Sequence, residues 1–199
     1  MAADYLATSS GDVPDAFPLH RSADLVRWER VGSVFPAWKT RKNPSWAVSD
    51  FWAPDIQRLN RTHFACYFSA RRGNLLSLGV ALSTSGVTGP YVDIGRPLWA
   101  NESDPEGTID VHFHQTSSGA RYLLWKANQW PVWTSARIMM QRLSGSGTAL
   151  VGEAWTVATA DQKWCAPSQL GSLRFRPLPP VANAFESRPC CSQGGVRMR

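Results

Sequence analysis

A strand-and-turn unit recurs along this chain at a spacing of about sixty residues, and it limits the possible folds more than any other feature. The segment YLATS followed by LHRSADLVRWE returns as FACYFSA followed by GVALSTSGVTGPYVD, and again as YLLWKAN followed by MMQRLSGSGTALVGE. Aligning His20-Arg21 with Ala81-Leu82 and with Gln141-Arg142 gives offsets of 61 and then 60 residues. A repeat of that length, rich in short strands and turns, matches a propeller blade, a small sheet that buries its faces only by stacking on its neighbours. On this spacing residues 1–162 hold fewer than three blades, whereas a closed ring takes roughly four to eight. The expected fold is all-β, with the chain encoding part of a propeller.

Local patterning agrees with that reading. Short aromatic and β-branched runs, separated by Gly, Pro, Asn and Asp, predict strands at Tyr5–Ser9, Leu19–Ser22, Ile56–Leu59, Phe64–Ala70, Leu78–Ser83, Tyr122–Lys126 and Ile138–Leu143. No segment of helical length carries a 3.6-residue apolar stripe, although Ser22–Leu25 could form a short helical turn. No stretch reaches the roughly 18 consecutive apolar residues of a membrane span, and the opening MAADYLATSSGD lacks the basic and apolar segments of a secretion signal. Two Asn-x-Ser/Thr tripeptides, at Asn60 and Asn101, carry little weight without one.

The chain has 199 residues and a formal net charge of +6, which invites a nucleic-acid reading until the charge is located. Residues 163–199 hold Lys163, Arg174, Arg176, Arg188, Arg197 and Arg199 against Glu186 alone, while residues 1–162 carry 15 basic and 14 acidic side chains. Three of the four cysteines, Cys165, Cys190 and Cys191, also lie in the final stretch, so no disulfide framework is indicated for the body. The sequence therefore divides into a patterned body, 1–162, and a basic tail, 163–199. The tail gathers Pro, Arg, Ser and Cys without apolar period and is expected to lack packed secondary structure.

Several motifs stand in an informative order. The run Phe51-Trp52-Ala53-Pro54-Asp55-Ile56, then ACYFSA, then ALSTSGVTGPYVDIGRPL, then Gly107-Thr108-Ile109-Asp110 and GARYLLWKA resemble glycoside hydrolase family 43, as does the opening DYLATSSGDVPDAFPLHRSADLVRWERVG. The resemblance covers roughly residues 4–162. It implies a five-bladed β-propeller of the arabinanase, arabinofuranosidase or β-xylosidase type, incomplete at both ends. The implied reaction hydrolyses arabinose- or xylose-containing polysaccharides or oligosaccharides with inversion at the anomeric carbon.

Inverting hydrolysis needs a carboxylic acid for the leaving oxygen and a carboxylate to activate water, roughly 6.5–9.5 Å apart. The family resembled adds an aspartate that holds the acid's pKa and orientation, and GTID assigns that part to Asp110, with Val111 where proline usually follows. By the same resemblance the general base belongs to an Asp-Pro turn preceding the strand that starts at Asp4-Tyr5. The general acid belongs to a glutamate beyond Asp161-Gln162-Lys163-Trp164, where the pattern is lost; Glu186 matches nothing. A polypeptide with the modulator alone is expected to hydrolyse glycosides poorly or not at all.

Asp55 either closes an Asx-type turn or contacts sugar. Trp52 either packs between blades or offers its face to a sugar, the second being favoured, while Trp28 and Trp125 are expected in the core. Asp110, His112 and His114 alternate along one expected strand and so share a face, but no fourth ligand has metal-site spacing, and no metal or other cofactor is expected. Lys39–Lys42 and Asp104–Glu106 read as solvated loops. The sequence has no G-x-S-x-G elbow, phosphate-cradling glycine loop or paired C-x-x-C.

Three readings compete on this basis. They are a glycosidase whose partner is an arabinan, arabinoxylan or xylo-oligosaccharide, a non-catalytic sugar-binding fragment, and a nucleic-acid binder. The confinement of charge to the tail argues against the third, and no membrane partner is expected. Polymeric substrates would place a complete family member outside the cell; the chain's own localisation is left unassigned.

Overall fold

The structure, a computed structural model, describes the backbone of residues 5–8, 14–103, 107–127, 136–160, 165–166, 169–170 and 173–175. The first sheet pairs β1 (Tyr5–Thr8), β2 (Ala16–Ser22) and β3 (Glu29–Phe35) in that order. One helical turn, α1 (Trp38–Arg41), leads to a second sheet. There β4 (Ser49–Arg58), β5 (Phe64–Arg72), β6 (Leu75–Ser83) and β7 (Val92–Asp93) follow one another, and β8 (Trp99–Ala100) also pairs with β6. The third sheet runs β9 (Ile109–Gln115), β10 (Arg121–Ala127), β11 (Arg137–Leu143) and β12 (Leu150–Ala160). Every pairing is antiparallel, so each sheet is a meander of the blade type.

The sixty-residue repeat falls on equivalent strands. His20, Ala81 and Gln141 lie on β2, β6 and β11, each following and pairing with the strand that carries YLATS, FACYFSA or YLLWKAN. All seven expected strands are present. Ile56–Leu59 is the end of a much longer β4, and β3 and β12 arise where no strand was expected.

The second sheet is buried on both faces, which explains the nearly continuous apolar runs of β5 and β6. Alternation sends Cys66, Phe68 and Ala70 toward the first sheet, where Phe17, Phe35, Trp38 and Phe51 complete an aromatic cluster. Ring centroids there are 5.2 Å apart for Phe35–Phe68 and 4.7 Å for Trp38–Phe51. The intervening residues Ala65 and Tyr67 face the third sheet with Leu78 and Val80, meeting Val111, Phe113, Leu123 and Trp125; Tyr67 stacks on Phe113 at 5.8 Å. Cys66 is fully buried, and the loss of solvation pushes its thiol up, so it behaves as a core atom.

Several expectations need correction. Trp28 is 40% exposed, its indole N–H donating to the Leu25 carbonyl at 3.2 Å, whereas Trp125 is buried as expected. Ser22–Leu25 is not helical. The Ser22 hydroxyl accepts from the Asp24 and Leu25 amides and Asp24 accepts from Val26 and Arg27, a hydrogen-bonded bend that satisfies the backbone locally. Lys39–Arg41, read as loop, belong to α1, although their side chains are exposed. Beyond residue 164 the backbone forms β13 (Cys165–Ala166), β14 (Gln169–Leu170) and β15 (Leu173–Phe175), and β15 extends the third sheet by pairing with the end of β12. That departs from the expectation of no packed secondary structure there. Residues 176–199 and Asp104–Glu106 lie outside the described residues. Among those described, no helix is long and apolar enough to cross a membrane.

Candidate functional site

The innermost strands β4 and β9 pack side by side and carry the residues singled out by sequence. β4 is irregular. Its register against β5 shifts between Ser49 and Trp52 and again between Trp52 and Asp55, with Asp50 and Ala53 in the left-handed region at φ 56° and 47°. Each bulge turns a strand locally and re-aims a side chain. Here Phe51 stays in the core at 1% exposure while Trp52 stands 40% exposed on the opposite face.

β9 has the same device. Asp110 adopts φ 57°, and the register shifts between Leu124 and Lys126 of β10, so that Asp110 and Val111 together oppose Trp125. The bulge frees the Asp110 amide from the ladder, and that N–H donates instead to the Ser69 hydroxyl oxygen across the sheet interface at 3.1 Å. Ser69 is completely buried and is also the β5 partner of Trp52. Trp52 and Asp110, fifty-eight positions apart in sequence, therefore converge on one serine.

Asp55 pairs in register with Tyr67 and so faces the third sheet. Its Oδ2 accepts from the Phe113 amide at 2.7 Å and lies 3.0 Å from His112 Nδ1, and its Oδ1 accepts from Gln57 Nε2 at 2.5 Å. The carboxylate thus bridges β4 and β9 and does not close a turn on its own backbone. His112, its side chain 66% exposed, is oriented by that contact. Although Asp110, His112 and His114 alternate as expected, no group of three His, Cys, Asp or Glu side chains that could hold a metal ion forms among the described residues.

Sequence reasoning missed two features. Ser69 sits inside an apolar strand and was indistinguishable from any small core residue; its parity with Ala65 and Tyr67 was the available signal. The other is an internal echo of Asp110. Asp50 lies sixty residues earlier at the same point of its own inner strand, also left-handed, and pairs with Arg71 Nε. Arg71 pairs in register with Ser49 and Lys126 with Ile109, so each aspartate follows a residue opposed by a cation. A separate cleft of about 630 Å³ between β3 and β7, lined by Asp15, Arg30, Arg41, Asn43 and Tyr91 among others, includes none of these residues.

Comparison with known proteins places this geometry. The sequence model described as Glycosyl hydrolases family 43 matches residues 2–170. A curated relative, the probable arabinan endo-1,5-alpha-L-arabinosidase A of Emericella nidulans, is 26% identical over 133 residues, which are 66% of this chain and 39% of that protein. Among solved structures, a thermostable family-43 glycoside hydrolase superposes with a TM-score of 0.71 at 23% identity, covering 85% of this chain and 54% of the other. An endo-arabinase from Bacteroides thetaiotaomicron gives 0.67 at 20% identity, covering 84% and 57%. The chain thus spans between about two fifths and three fifths of the length of these relatives. The fold is that of a five-bladed β-propeller, of which these sheets form a part.

Proposed function

The chain belongs to glycosyl hydrolases family 43, and from that premise we propose that it serves the hydrolysis of O-glycosidic bonds in arabinose- or xylose-containing polysaccharides or oligosaccharides, by inversion. The observation that carries the reading is that Trp52, 40% exposed, and Asp110 are brought to one place by their backbones, Trp52 pairing in register with Ser69 and the Asp110 amide donating to the Ser69 hydroxyl. In this reading Trp52 stacks on a sugar ring, whose axial C–H groups suit an aromatic face. Asp110 stands beside the acid that protonates the leaving oxygen, because a neighbouring negative charge keeps a carboxylic acid protonated. Asp55 takes part in substrate binding by fixing His112 and the course of β9.

The chemistry also requires a general acid and a general base. Within the 199 residues no carboxylate falls in the family's motif for either part, so the chain by itself is expected to bind sugar with little or no turnover. That expectation keeps a second reading in play, a non-catalytic carbohydrate-binding unit, which the exposed Trp52 supports equally. Neither nucleic acid nor a membrane enters either reading.

The test is titration of the purified chain with arabino- and xylo-oligosaccharides, followed by tryptophan fluorescence, alongside an NMR assay of released sugar and its anomeric form. Trp52→Ala is expected to weaken binding about tenfold or more, a loss of ~1.4 kcal/mol or above, with unfolding midpoints little changed. Release of inverted product supports the hydrolase reading, and binding without release supports the second. Absence of both, or binding indifferent to Trp52→Ala, overturns the site.

A further inference from the structure

We propose that Ser69 is a positioning residue for Asp110, holding its backbone in the left-handed conformation that aims the carboxylate out of the sheet; the importance of that aim rests on the reading of the site above. A non-glycine residue in this conformation sits above its relaxed alternative, and such strain persists only where the surroundings over-determine it. At Asp110 the bulge removes the ladder partner of the amide, and an N–H left without an acceptor at the sheet interface is itself costly.

The Ser69 hydroxyl meets that need at 3.1 Å from a position with no freedom to move. The residue is completely buried, and β5 is paired on both sides, to β4 and β6. Three residues further on, the Phe113 amide is held by Asp55 Oδ2. These two bonds from the second sheet fasten β9 at both ends of the stretch Asp110–Phe113, and the Ser69 bond alone acts on the left-handed residue.

The experiment is backbone NMR on the isotopically labelled full chain, comparing Ser69→Ala, the near-isosteric Ser69→Cys and a control, Ser77→Ala. Ser77 is equally buried on the neighbouring strand, but its hydroxyl bonds the Leu75 carbonyl, so the control reports the packing cost of losing a buried serine hydroxyl. In both Ser69 variants the Asp110 amide is expected to exchange about tenfold faster. Its three-bond amide–Hα coupling and carbon shifts should leave their left-handed values. The Phe113 amide and the Ser77→Ala chain should show neither change. Should Ser69→Ala fail to fold, Ser69→Cys decides.

An Asp110 conformation unaltered in the Ser69 variants overturns the proposal. So does equal acceleration of Asp110 and Phe113, which would mean general loosening. The functional reading is tested separately by adding arabinotriose and xylotriose to the wild-type chain. If neither sugar perturbs Trp52 or Asp110, that reading fails while the positional result stands.

Discussion

At the residue scale, the molecule shows how small side chains decide what large ones can do. Ser69 and Gly79 both occupy positions where the pattern asked only for something apolar, and both are fixed by neighbours in another strand. A Cβ added at Gly79 would lie 2.4 Å from Phe68 Cζ and 2.7 Å from Trp46 Cζ2. Those rings are stacked at 5.8 Å in the aromatic cluster and cannot retreat without disturbing Phe35 and Phe51. Gly79→Ala is therefore expected to destabilise the fold by about 1–3 kcal/mol through overpacking, measured as a shift of the urea midpoint at constant slope. Trp28 gives the opposite lesson. Its large aromatic side chain suggested core, yet it stands on the exposed bend between β2 and β3.

At the scale of elements, the inner strands are where regular pairing gives way. Bulges break the register of β4 and of β9, and on β9 polar side chains of the second sheet take up the Asp110 and Phe113 amides. Asp55 is the larger of these fastenings, since one carboxylate holds the Phe113 amide, His112 and Gln57. Asp55→Asn retains the size but loses the charge and one acceptor. It should cost about 1–3 kcal/mol, the range for leaving a buried donor unsatisfied. Protection from exchange should fall at Phe113 before it falls at the β5 amides facing β6. Equal protection in variant and wild type would show that the bridge contributes nothing.

At the scale of the whole molecule, the second sheet ties the structure together, because its two faces close two separate aromatic and aliphatic clusters. Its outer end carries Asp93, which accepts from Trp46 Nε1 at 2.7 Å. Partial burial raises the Asp93 carboxyl above its ordinary value, with the Trp46 and Gly95 hydrogen bonds opposing that shift in part. A carboxyl raised on folding binds its proton more tightly in the native state. Its contribution is thus present below the unfolded pKa and is lost as the pH climbs through the folded one. Asp93→Asn keeps an acceptor for Trp46 and removes the charge. Its stability relative to the wild type should accordingly improve between the acid range and neutrality, as read from urea midpoints at each pH. A difference constant with pH, or one that narrows, would contradict this account.

The sequence alone determined what depends on period. The sixty-residue repeat placed His20, Ala81 and Gln141 on equivalent strands, and short aromatic and β-branched runs between turn residues located seven strands, because both express how a backbone must present its side chains to be buried. It also carried the motifs that led to Asp110, Trp52 and Asp55. Tertiary structure decided everything that requires two strands at once. That Asp55 would reach the Phe113 amide and that Ser69 would hold Asp110 depend on bulges and sheet stacking. These set distances between residues tens of positions apart, and a hydrogen bond is selective at tenths of an ångström, finer than any pattern of residue types along one chain can specify.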